Sequence, residues 1–599
     1  MTKEWIVSPP WALADEAALR WNVPPLIAQL LHNRGIDLDG PAPTFLSPQL
    51  KDLLPPEQLA GGMGAADLIV ESVRRREKIV LYGDYDVDGI CGVAILWNLL
   101  TLAGANVTCY VPHRLDEGYG LNAEAIRGLI ADGARLIVSV DCGVTAVDEA
   151  RIANEAGVAL VITDHHQPKS VLPAAAAIVH PNLPCVDVVS PSFGSGSVSK
   201  DLNGCAAYPN PDLCGAGVAF KVGWLVCKRL SGADRVQPAL RDALLDLLPL
   251  AALGTVADVV PLVGENRIIA RFGLGALKSS PLPGVRALLE SAGLTGAKID
   301  SYDVGFKLAP RLNAAGRMGH AREAVELLTT ADERRAREIA AELERHNRTR
   351  QSTERSITAS ARELVTARGM DRDSCRGIVL AAERWHAGVI GIVAARLVDR
   401  YHRPTVLISL ENGCGHGSAR SVPHFHLHDA LTACGEHLQA FGGHAMAAGL
   451  TIARDRIEAF TEAFIARANQ MLTGADLTPK LRLDAEVPLD VLDLRTAQAV
   501  ANIGPFGSGN PRPRLASRWC SLAGEPRRVG RNGDHLQFSL DDNGAILKGI
   551  AFGLASVDEQ LKLHRRCRVA FEPIINTYNG RTSVELQVVD FQFPPGKRL

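Results

Sequence analysis

Between about residues 65 and 180 the sequence alternates helical stretches with short β-branched runs, and this alternation constrains the fold more than any other feature. The pairs of helical stretch and following run are 65–76 with 78–82, 93–103 with 106–111, 122–131 with 135–140, and 147–156 with 159–163. Strands that alternate with helices in this way form parallel sheets, because the crossover helices pack on the sheet faces. The pattern predicts an α/β domain with helices on both faces of a parallel sheet.

The rest of the chain divides by pattern into further units, as expected for 599 residues. Prolines break the first 50 residues into short amphipathic pieces, and a proline-free helical pattern of mixed charge runs from 331 to 368. The interpretation favoured for that pattern is a solvated helix that bridges two lobes, rather than a DNA-binding helix. The predicted divisions are an N-terminal lead-in (1–50), a large α/β domain (51–330), a connecting helix (331–370), a smaller α/β domain (371–472) and a β-barrel domain (473–599).

Composition excludes several classes of protein. Hydrophobic residues make up 47% of the chain and its formal net charge is -2, so it is an ordinary globular chain and not a wholly basic nucleic-acid binder. No apolar run approaches the ~18 residues that a membrane helix needs, and residues 1–10 lack the pattern of an export signal. The scattered cysteines suit reduced thiols. A cytoplasmic location without membrane contact is therefore expected.

Residues 185–213 are rich in Ser, Gly, Pro and Asn and show little periodicity. This composition predicts a flexible surface insertion. An alternative is a structural zinc site with ligands among His180, Cys185, Cys205 and Cys214. The absence of a paired Cys-x-x-Cys in this segment argues against that alternative.

Three carboxylates on alternate residues follow the first predicted strand. They are Asp84, Asp86 and Asp88, and Gly89 comes directly after them. Carboxylates this close repel one another, and a divalent cation relieves the repulsion. A calcium loop is excluded because counting from Asp84 places Ile95, not Glu, at the twelfth position. The motif therefore favours Mg²⁺ or Mn²⁺.

Two further strands end in similar groups, and a fourth segment adds another carboxylate. Asp141 follows one strand, Asp164, His165 and His166 follow the next, and Asp258 interrupts the apolar segment 254–261. In a doubly wound sheet, ligands collect at the carboxyl ends of the strands. Mixed carboxylate and imidazole ligands favour Mn²⁺ over Ca²⁺, with Mg²⁺ as the alternative, and their number suffices for two ions. The predicted chemistry is metal-assisted hydrolysis of a phosphate ester.

These motifs, in their order and spacing, resemble those of the DHH phosphoesterase superfamily, and within it the RecJ family of bacterial exonucleases specific for single-stranded DNA. The resemblance covers most of the chain from about residue 81. Supporting segments are 311–317 (RLNAAGR), 385–391 (WHAGVIG), 417–421 (GSARS), 442–445 (GGHA), 505–507 (PFG) and 509–511 (GNP).

The resemblance implies a fold and a set of metal ligands. The two α/β lobes would be a DHH domain and a DHHA1 domain on either side of a cleft, and the barrel would be an OB fold that closes a ring around one strand. The matching ligand positions are Asp86, Asp88, Asp141, His165 and Asp258, with Asp84, Asp164 and His166 as further catalytic positions. Tyr82 stands where some members of the superfamily carry a metal-binding histidine.

The resemblance also implies a substrate and partners. Members of the family bind the 5′ end of single-stranded DNA and release 5′-mononucleotides in repair and recombination. The matching phosphate-binding residues are Arg114, Arg317, Ser418, Arg420 and His444. A RecQ-type helicase and a single-strand-binding protein are the implied protein partners.

Two other hypotheses stay open at this point. Other DHH proteins hydrolyse very short RNA, cyclic dinucleotides or polyphosphate, although the long barrel segment argues for a longer strand. A catalytically inactive relative that only binds single-stranded DNA is the second, and the complete set of motif carboxylates and histidines argues against it.

Overall fold

The structure, a computed structural model, describes residues 3–113, 117–183, 207–233, 235–411 and 413–595. These residues form two compact units: a central unit, Asp52–Leu477, and a terminal unit that joins Met1–Lys51 to Thr478–Leu599. None of the helices among the described residues combines the length and the hydropathy that a membrane span requires.

The N-terminal residues contribute one short strand and three short helices to the terminal unit. These are β1 (Glu4–Val7), α1 (Ala14–Trp21), α2 (Pro25–His32) and α3 (Ala42–Leu46). Pro25 opens α2, where its missing N–H would have no helical partner in any case.

The central unit begins with a parallel sheet of five strands in the order β3-β2-β4-β5-β6. The strands are β2 (Lys78–Gly83), β3 (Asn106–Tyr110), β4 (Leu136–Val140), β5 (Ala159–Thr163) and β6 (Ala177–Val179). The intervening helices are α4 (Gly62–Arg74), α5 (Val87–Leu102), α6 (Ala123–Ala131) and α7 (Val147–Glu155). Every residue of β4 and β5 is buried, which explains why these strands are apolar apart from Ser139 and Thr163. The predicted α/β alternation is confirmed.

Helices complete the first part of the central unit. They are α8 (Gly215–Ser231), α9 (Pro238–Asp246), α10 (Leu248–Ala257), α11 (Gly264–Leu277), α12 (Pro283–Ser291), α13 (Ser301–Asp303), α14 (Ala309–Met318) and α15 (Arg322–Leu328). A single π-helical turn, Val304–Leu308, joins α13 to α14. Of the predicted insertion, residues 185–206 lie outside the described residues, and 207–213 lead into α8.

The long helix is present as α16 (Glu333–Ala367), which has 35 residues. It is less solvated than its sequence suggests, because one face is buried along its length and includes Asn347, Arg350 and Glu354. Arg350 donates to Glu354 at 3.0 Å and to Asn347 at 2.7 Å, so these buried polar groups are paired.

A second, smaller sheet follows α16. Its elements are β7 (Ile378–Glu383), α17 (Ala387–Tyr401), β8 (Thr405–Glu411), β9 (Cys414–Arg420), α18 (Leu427–Ala433), β10 (Ala440–Gly443), β11 (Ala447–Ala453) and α19 (Ile457–Met471). The strand order is β10-β11-β9-β8-β7, with β7 and β8 parallel and the other pairs antiparallel. The predicted second α/β lobe is thus present, as a mixed sheet.

The C-terminal residues form a β-barrel in the terminal unit. Its elements are β12 (Lys480–Leu483), β13 (Ala485–Val487), α20 (Leu494–Asn502), β14 (Leu515–Ser517), β15 (Cys520–Leu522), β16 (Arg527–Val529), β17 (His535–Asp542), β18 (Ala545–Ala551), α21 (Asp558–His564), β19 (Arg566–Tyr578) and β20 (Arg581–Gln592). Pairing of β19 with both β15 and β20 closes a ring of strands, β19-β15-β17-β18-β20. A closed ring leaves no open sheet edge between these strands.

The N-terminal segment shares a hydrophobic core with this barrel. Ile27, Leu30 and Leu31 of α2 lie in one buried cluster with barrel residues such as Phe538 and Phe571. In addition, β1 pairs in parallel with β12. The first 50 residues therefore pack as part of the terminal unit.

Candidate active site

The strand-end carboxylates meet at one edge of the parallel sheet. Asp84 follows β2, Asp141 follows β4 and Asp164 follows β5, and these three strands are direct neighbours. Asp86 caps α5, since its Oδ1 accepts the N–H groups of Asp88 at 2.9 Å and Gly89 at 3.2 Å. The parallel topology thus brings together groups that are far apart in sequence.

His165 lies among three of the predicted metal ligands. Its Nε2 is 3.1 Å from Asp141 Oδ1, 3.6 Å from Asp258 Oδ2 and 3.7 Å from Asp88 Oδ2. Ligand atoms also lie within 4.8 Å of one another in the group Asp84, Asp86 and Asp141. The structure therefore brings all five predicted metal ligands into one cluster, and Asp84 stands beside them.

The cluster has the chemistry of an ion site. Asp141 Oδ1 and His165 Nε2 are both buried, and neither has a hydrogen-bond partner among the described residues. Buried polar atoms almost always have a hydrogen-bond partner. Because these two atoms have none, we expect a bound group to contact both of them. A divalent cation supplies such a partner, and oxygen and imidazole donors are the ligands that Mn²⁺ and Mg²⁺ accept. The residues fit the expected metal.

The pKa shifts in the metal-free cluster are also those expected of a cation site. Burial, together with the neighbouring carboxylates, raises the pKa of Asp141 well above its usual range and raises that of Asp258 to about 8. Burial beside Asp88 also raises the pKa of Asp86, and burial lowers the pKa of His165. Without a cation these groups hold protons or stay neutral, which is the expected response of crowded, desolvated carboxylates.

Asp164 has a different role from the other carboxylates. Its Oδ2 accepts from the Val144 N–H at 2.8 Å, and its Oδ1 accepts from the His165 N–H at 2.7 Å and lies 2.8 Å from His166 Nδ1. Burial would raise the pKa of Asp164, but the hydrogen bond and charge of His166 lower it to about 2. Burial would likewise lower the pKa of His166, and Asp164 raises it to about 8. Asp164 therefore orients His166.

Tyr119 was not singled out in the sequence, and His180 was considered there only as a ligand of the alternative zinc site. The Tyr119 hydroxyl lies 2.9 Å from His166 Nδ1 and donates to the Asp141 carbonyl at 3.3 Å. His180 Nε2 lies 2.8 Å from the His166 carbonyl oxygen, and its Nδ1 accepts from the Asn182 N–H. Tyr119 lies between two glycines in a loop that follows a strand of the same sheet. These glycines were the only local sequence feature that pointed to a functional role for Tyr119.

Three of the predicted phosphate-binding residues lie beside the first two turns of α17. Arg317, at the end of α14, donates from Nη1 to the Gly388 carbonyl at 2.9 Å. A Cβ on Gly391 would lie 2.8 Å from Ser418 Oγ and 3.1 Å from Arg420 Nη2, so this glycine lets α17 approach both side chains. The arrangement combines two guanidinium groups, a hydroxyl and a helix N-terminus, all of which bind phosphate.

His444 lies in the turn between β10 and β11 and is exposed. Its N–H donates to the Ala447 carbonyl at 2.8 Å, and Ala447 pairs with Arg420 across the sheet. The turn therefore lies beside the arginine group. Arg114, the remaining predicted phosphate contact, lies outside the described residues.

The arginine group and the carboxylate cluster lie on adjoining elements of the central unit. A Cβ on Gly316 would be 3.1 Å from the Tyr85 carbonyl oxygen, so α14 runs against the loop that carries Asp84 and Asp86. Arg317 is the next residue of α14. The loop that carries Asp84 and Asp86 and the helix that carries Arg317 are thus neighbours.

Two further sequence positions have structural roles in the described residues. Tyr82 is fully buried and its hydroxyl donates to the Gly120 carbonyl at 3.2 Å. The Cys214 thiol accepts from the Gly217 N–H, and both ring nitrogens of His180 are engaged as described above. Cys185 and Cys205, the other two candidates for a structural zinc, lie outside the described residues.

A parallel sheet that gathers carboxylates and imidazoles at its strand ends, followed by a second lobe that carries arginines, defines a DHH-type phosphoesterase. Family models agree along the chain: the DHH family, N-terminal domain, matches residues 78–253, the DHHA1 domain matches 376–470, and the RecJ OB domain matches 483–590.

Whole-chain comparisons identify the family within this class. The chain is 36% identical over 571 residues to the single-stranded-DNA-specific exonuclease RecJ of Bacillus subtilis, covering 95% of this chain and 68% of that protein. It is 34% identical over 594 residues to the protein of the same name from Dickeya dadantii, covering 96% and 97%. The crystal structure of RecJ in complex with Mn²⁺ from Thermus thermophilus has a TM-score of 0.80 at 31% identity, covering 99% of this chain and 80% of that one. The chain belongs to the RecJ family.

Proposed function

We propose that this protein is a metal-dependent exonuclease that degrades single-stranded DNA from its 5′ end to 5′-mononucleotides, in DNA repair and recombination. The observation that carries the proposal is the cluster in which Asp141 Oδ1 and His165 Nε2 lie 3.1 Å apart with no hydrogen-bond partner among the described residues. Relatives that match nearly the whole chain are named single-stranded-DNA-specific exonucleases, which supports the same substrate.

The proposed metal ligands are Asp86, Asp88, Asp141, His165 and Asp258, and they would hold two Mn²⁺ or Mg²⁺ ions. Solved RecJ structures contain manganese or magnesium, which supports this choice of ions. When bound, such ions lower the pKa of a coordinated water and neutralise charge on the phosphate oxygens. Asp84, whose carboxylate lies beside those of Asp86 and Asp141, adds negative charge to the same region.

His166 is proposed to contact the scissile phosphate. Asp164 holds the Nδ1 side of the ring, so Nε2 is left to donate to a phosphate oxygen when the imidazole is protonated. The pKa of His166, about 8, keeps a large share of the rings protonated near neutral pH. Its side chain is 40% exposed, compared with 25% for Asp258 and 14% for His165, so it is open to a substrate.

The 5′ phosphate is proposed to bind beside the first two turns of α17. Arg317, Ser418 and Arg420 converge there and His444 adjoins them, while Arg114 is proposed from the family pattern alone. Anchoring of the terminal phosphate in this group would place a phosphodiester bond near the 5′ end at the carboxylate cluster. Release of single nucleotides from the 5′ end follows from that placement.

Removal of the Arg420 guanidinium is expected to weaken selection of 5′-phosphorylated strands. Arg420→Ala should raise KM for a 5′-phosphorylated oligonucleotide about 10- to 100-fold, because a hydrogen bond to a charged group contributes roughly 1.5–3 kcal/mol. KM for the same oligonucleotide with a 5′ hydroxyl should change little. Steady-state kinetics on the two substrates measure the difference.

Arg454→Ala is the matched control for this variant. Arg454 forms an ion pair with Glu383. It directly follows the end of β11 that lies opposite Cys414, the first residue of β9, whereas Arg420 is the last residue of β9. A strand of this length separates the two arginines by roughly 20 Å. An Arg420→Ala enzyme that loses equally on both substrates would contradict the assignment of Arg420 to the 5′ phosphate.

Polarity and strandedness test the proposed substrate. With Mn²⁺, the native chain should release labelled mononucleotide at once from a 5′-labelled single strand, and only late from the same strand labelled at its 3′ end. Blunt duplex DNA of the same sequence should be degraded far more slowly. Early release from the 3′ label, or equal digestion of the duplex, would be inconsistent with the proposal, and cleavage of only very short oligonucleotides would favour a different substrate.

The cellular context is proposed on the family alone. A RecQ-type helicase would expose the single strand, and a single-strand-binding protein would occupy it before digestion. A cytoplasmic location is consistent with the described cysteines, which are all free thiols. The domain limits proposed from the sequence (1–50, 51–330, 331–370, 371–472 and 473–599) also remain predictions.

A further inference from the structure

Two backbone amides at the start of α8 bind one carboxylate of the proposed metal centre. The Gly215 N–H donates to Asp88 Oδ2 at 2.6 Å, and the Ala216 N–H donates to Asp88 Oδ1 at 2.9 Å. Both residues belong to the first turn of α8, where backbone N–H groups have no partner within the helix. The positive end of this helix therefore faces the Asp88 carboxylate, which fixes the orientation of both of its oxygens.

The missing side chain of Gly215 leaves room for a second carboxylate. A Cβ at Gly215 would lie 2.5 Å from Asp141 Oδ1 and 2.6 Å from Asp141 Cβ and Cγ. Asp141 has little freedom to give way, since it is 1% exposed and its backbone has φ 65°. Any larger residue at 215 would displace Asp141, α8 or both.

A second glycine brings α10 to the same place. A Cβ on Gly254 would collide with Asp88 Oδ1 and with the Cβ of Ala216. Asp88 is therefore enclosed by the starts of α5 and α8 and by α10. The centre depends on close approach of helix backbones, and glycine is the residue that permits it.

The start of α8 is also firmly anchored. Lys221, fully buried in α8, forms an ion pair with Glu265 and donates to the Leu54 carbonyl at 2.6 Å. Glu265 in turn accepts from the Leu54 N–H at 3.0 Å and from the Tyr208 hydroxyl at 2.7 Å. These buried bonds oppose a shift of α8 away from the carboxylates, because each would lose its partner.

We propose that Gly215 is a positioning residue of the metal centre: its amide orients Asp88, and its lack of a side chain lets Asp141 stand beside His165. This inference rests on the proposed function, since it concerns the ligands of the same ions. The first residue of α8 would therefore contribute directly to metal affinity.

Metal affinity tests the inference without any need for turnover. Titration of Mn²⁺ into the metal-free chain should show binding about 10- to 100-fold weaker for Gly215→Ala than for the native protein, the range typical of groups that orient metal ligands. Nuclease activity of the variant should recover as Mn²⁺ is raised. Gly275→Ala is the matched control, because Gly275 is also helical and an added Cβ there meets no atom within 4 Å. The control should bind Mn²⁺ with native affinity.

A double-mutant cycle shows whether the collision is with Asp141. Without metal, Gly215→Ala should lower Tm in the native background but not in an Asp141→Gly background, which lacks the three atoms nearest to the new Cβ. Equal losses of Tm in both backgrounds, or native Mn²⁺ affinity in Gly215→Ala, would overturn the inference. Native protein that binds no Mn²⁺ would instead overturn the proposed function itself.

Discussion

The Asp141→Asn variant is expected to lose at least about a thousandfold of its nuclease activity, because an amide lacks the charge that holds a cation at the centre of the site. Without metal, the same variant should unfold at a higher temperature than the native chain. Burial and the neighbouring carboxylates raise the pKa of Asp141, so the metal-free fold holds a proton there that the unfolded chain releases near neutral pH. An amide needs no such proton, and the substitution should therefore stabilise the metal-free fold by roughly 1–2 kcal/mol. Asn also tolerates the left-handed backbone found at Asp141. Turnover and metal-free Tm are the two measurements.

Asp148→Asn is the matched control for this prediction. Asp148 lies in the first turn of α7 with a side chain 80% exposed, and its contact with Arg151 is a surface pair. Exposed pairs contribute little, so both activity and Tm should stay close to native values. An Asp141→Asn chain that is less stable without metal, and still active, would contradict the picture of a strained metal site.

Stabilisation by Mn²⁺ should grow as pH rises from about 6 to about 8. The pKa of Asp258 is raised to about 8 and that of Asp141 well above its usual range, so the metal-free fold holds protons that the unfolded chain releases. Groups with raised pKa stabilise the fold at low pH, and their contribution is lost as pH rises through the folded pKa, by up to about 1.4 kcal/mol per pH unit for each group. His166, with a pKa of about 8, acts in the same direction.

A bound cation reverses this trend because it needs the ionised carboxylates. Proton release no longer destabilises the fold once metal is present, and saturating metal at about 1,000 times Kd adds about 4 kcal/mol. The measurement is Tm with a chelator and with excess Mn²⁺ at each pH. In Asp258→Asn, the rise in Tm that Mn²⁺ produces should increase less with pH than in the native chain. If the rise in Tm produced by Mn²⁺ stays constant or falls with pH in the native chain, the raised pKa values of Asp258, Asp141 and His166 would be contradicted.

The sheet and its carboxylate edge were predictable because both follow from local pattern and one topological rule. Apolar runs separated by helices indicated a parallel sheet, and parallel strands deliver the residues after β2, β4 and β5 to the same edge. Asp84, Asp141 and Asp164 therefore meet without any further information. Asp258 follows a helix rather than a strand. It was predicted because it is the single carboxylate in an apolar segment.

Features that depend on packing between distant segments were not predictable. Gly215 and Ala216 carry no chemistry in their side chains, and their amides matter only because α8 starts beside Asp88. The shared core of α2 and the barrel joins residues separated by most of the chain, a contact that no local pattern encodes. The burial of one face of α16 was also missed, since its polar residues suggested solvent and are instead paired with one another.

A metal-dependent centre formed by the Asp and His cluster should be required for cleavage of single-stranded DNA. The most direct test is release of mononucleotides from one single strand by the native chain with Mn²⁺, the native chain with a chelator, and Asp141→Asn with Mn²⁺, with DNA binding measured in parallel. We expect release only in the first reaction and binding in all three. Release that persists with the chelator or in Asp141→Asn, or binding without any release by the native chain, would contradict it.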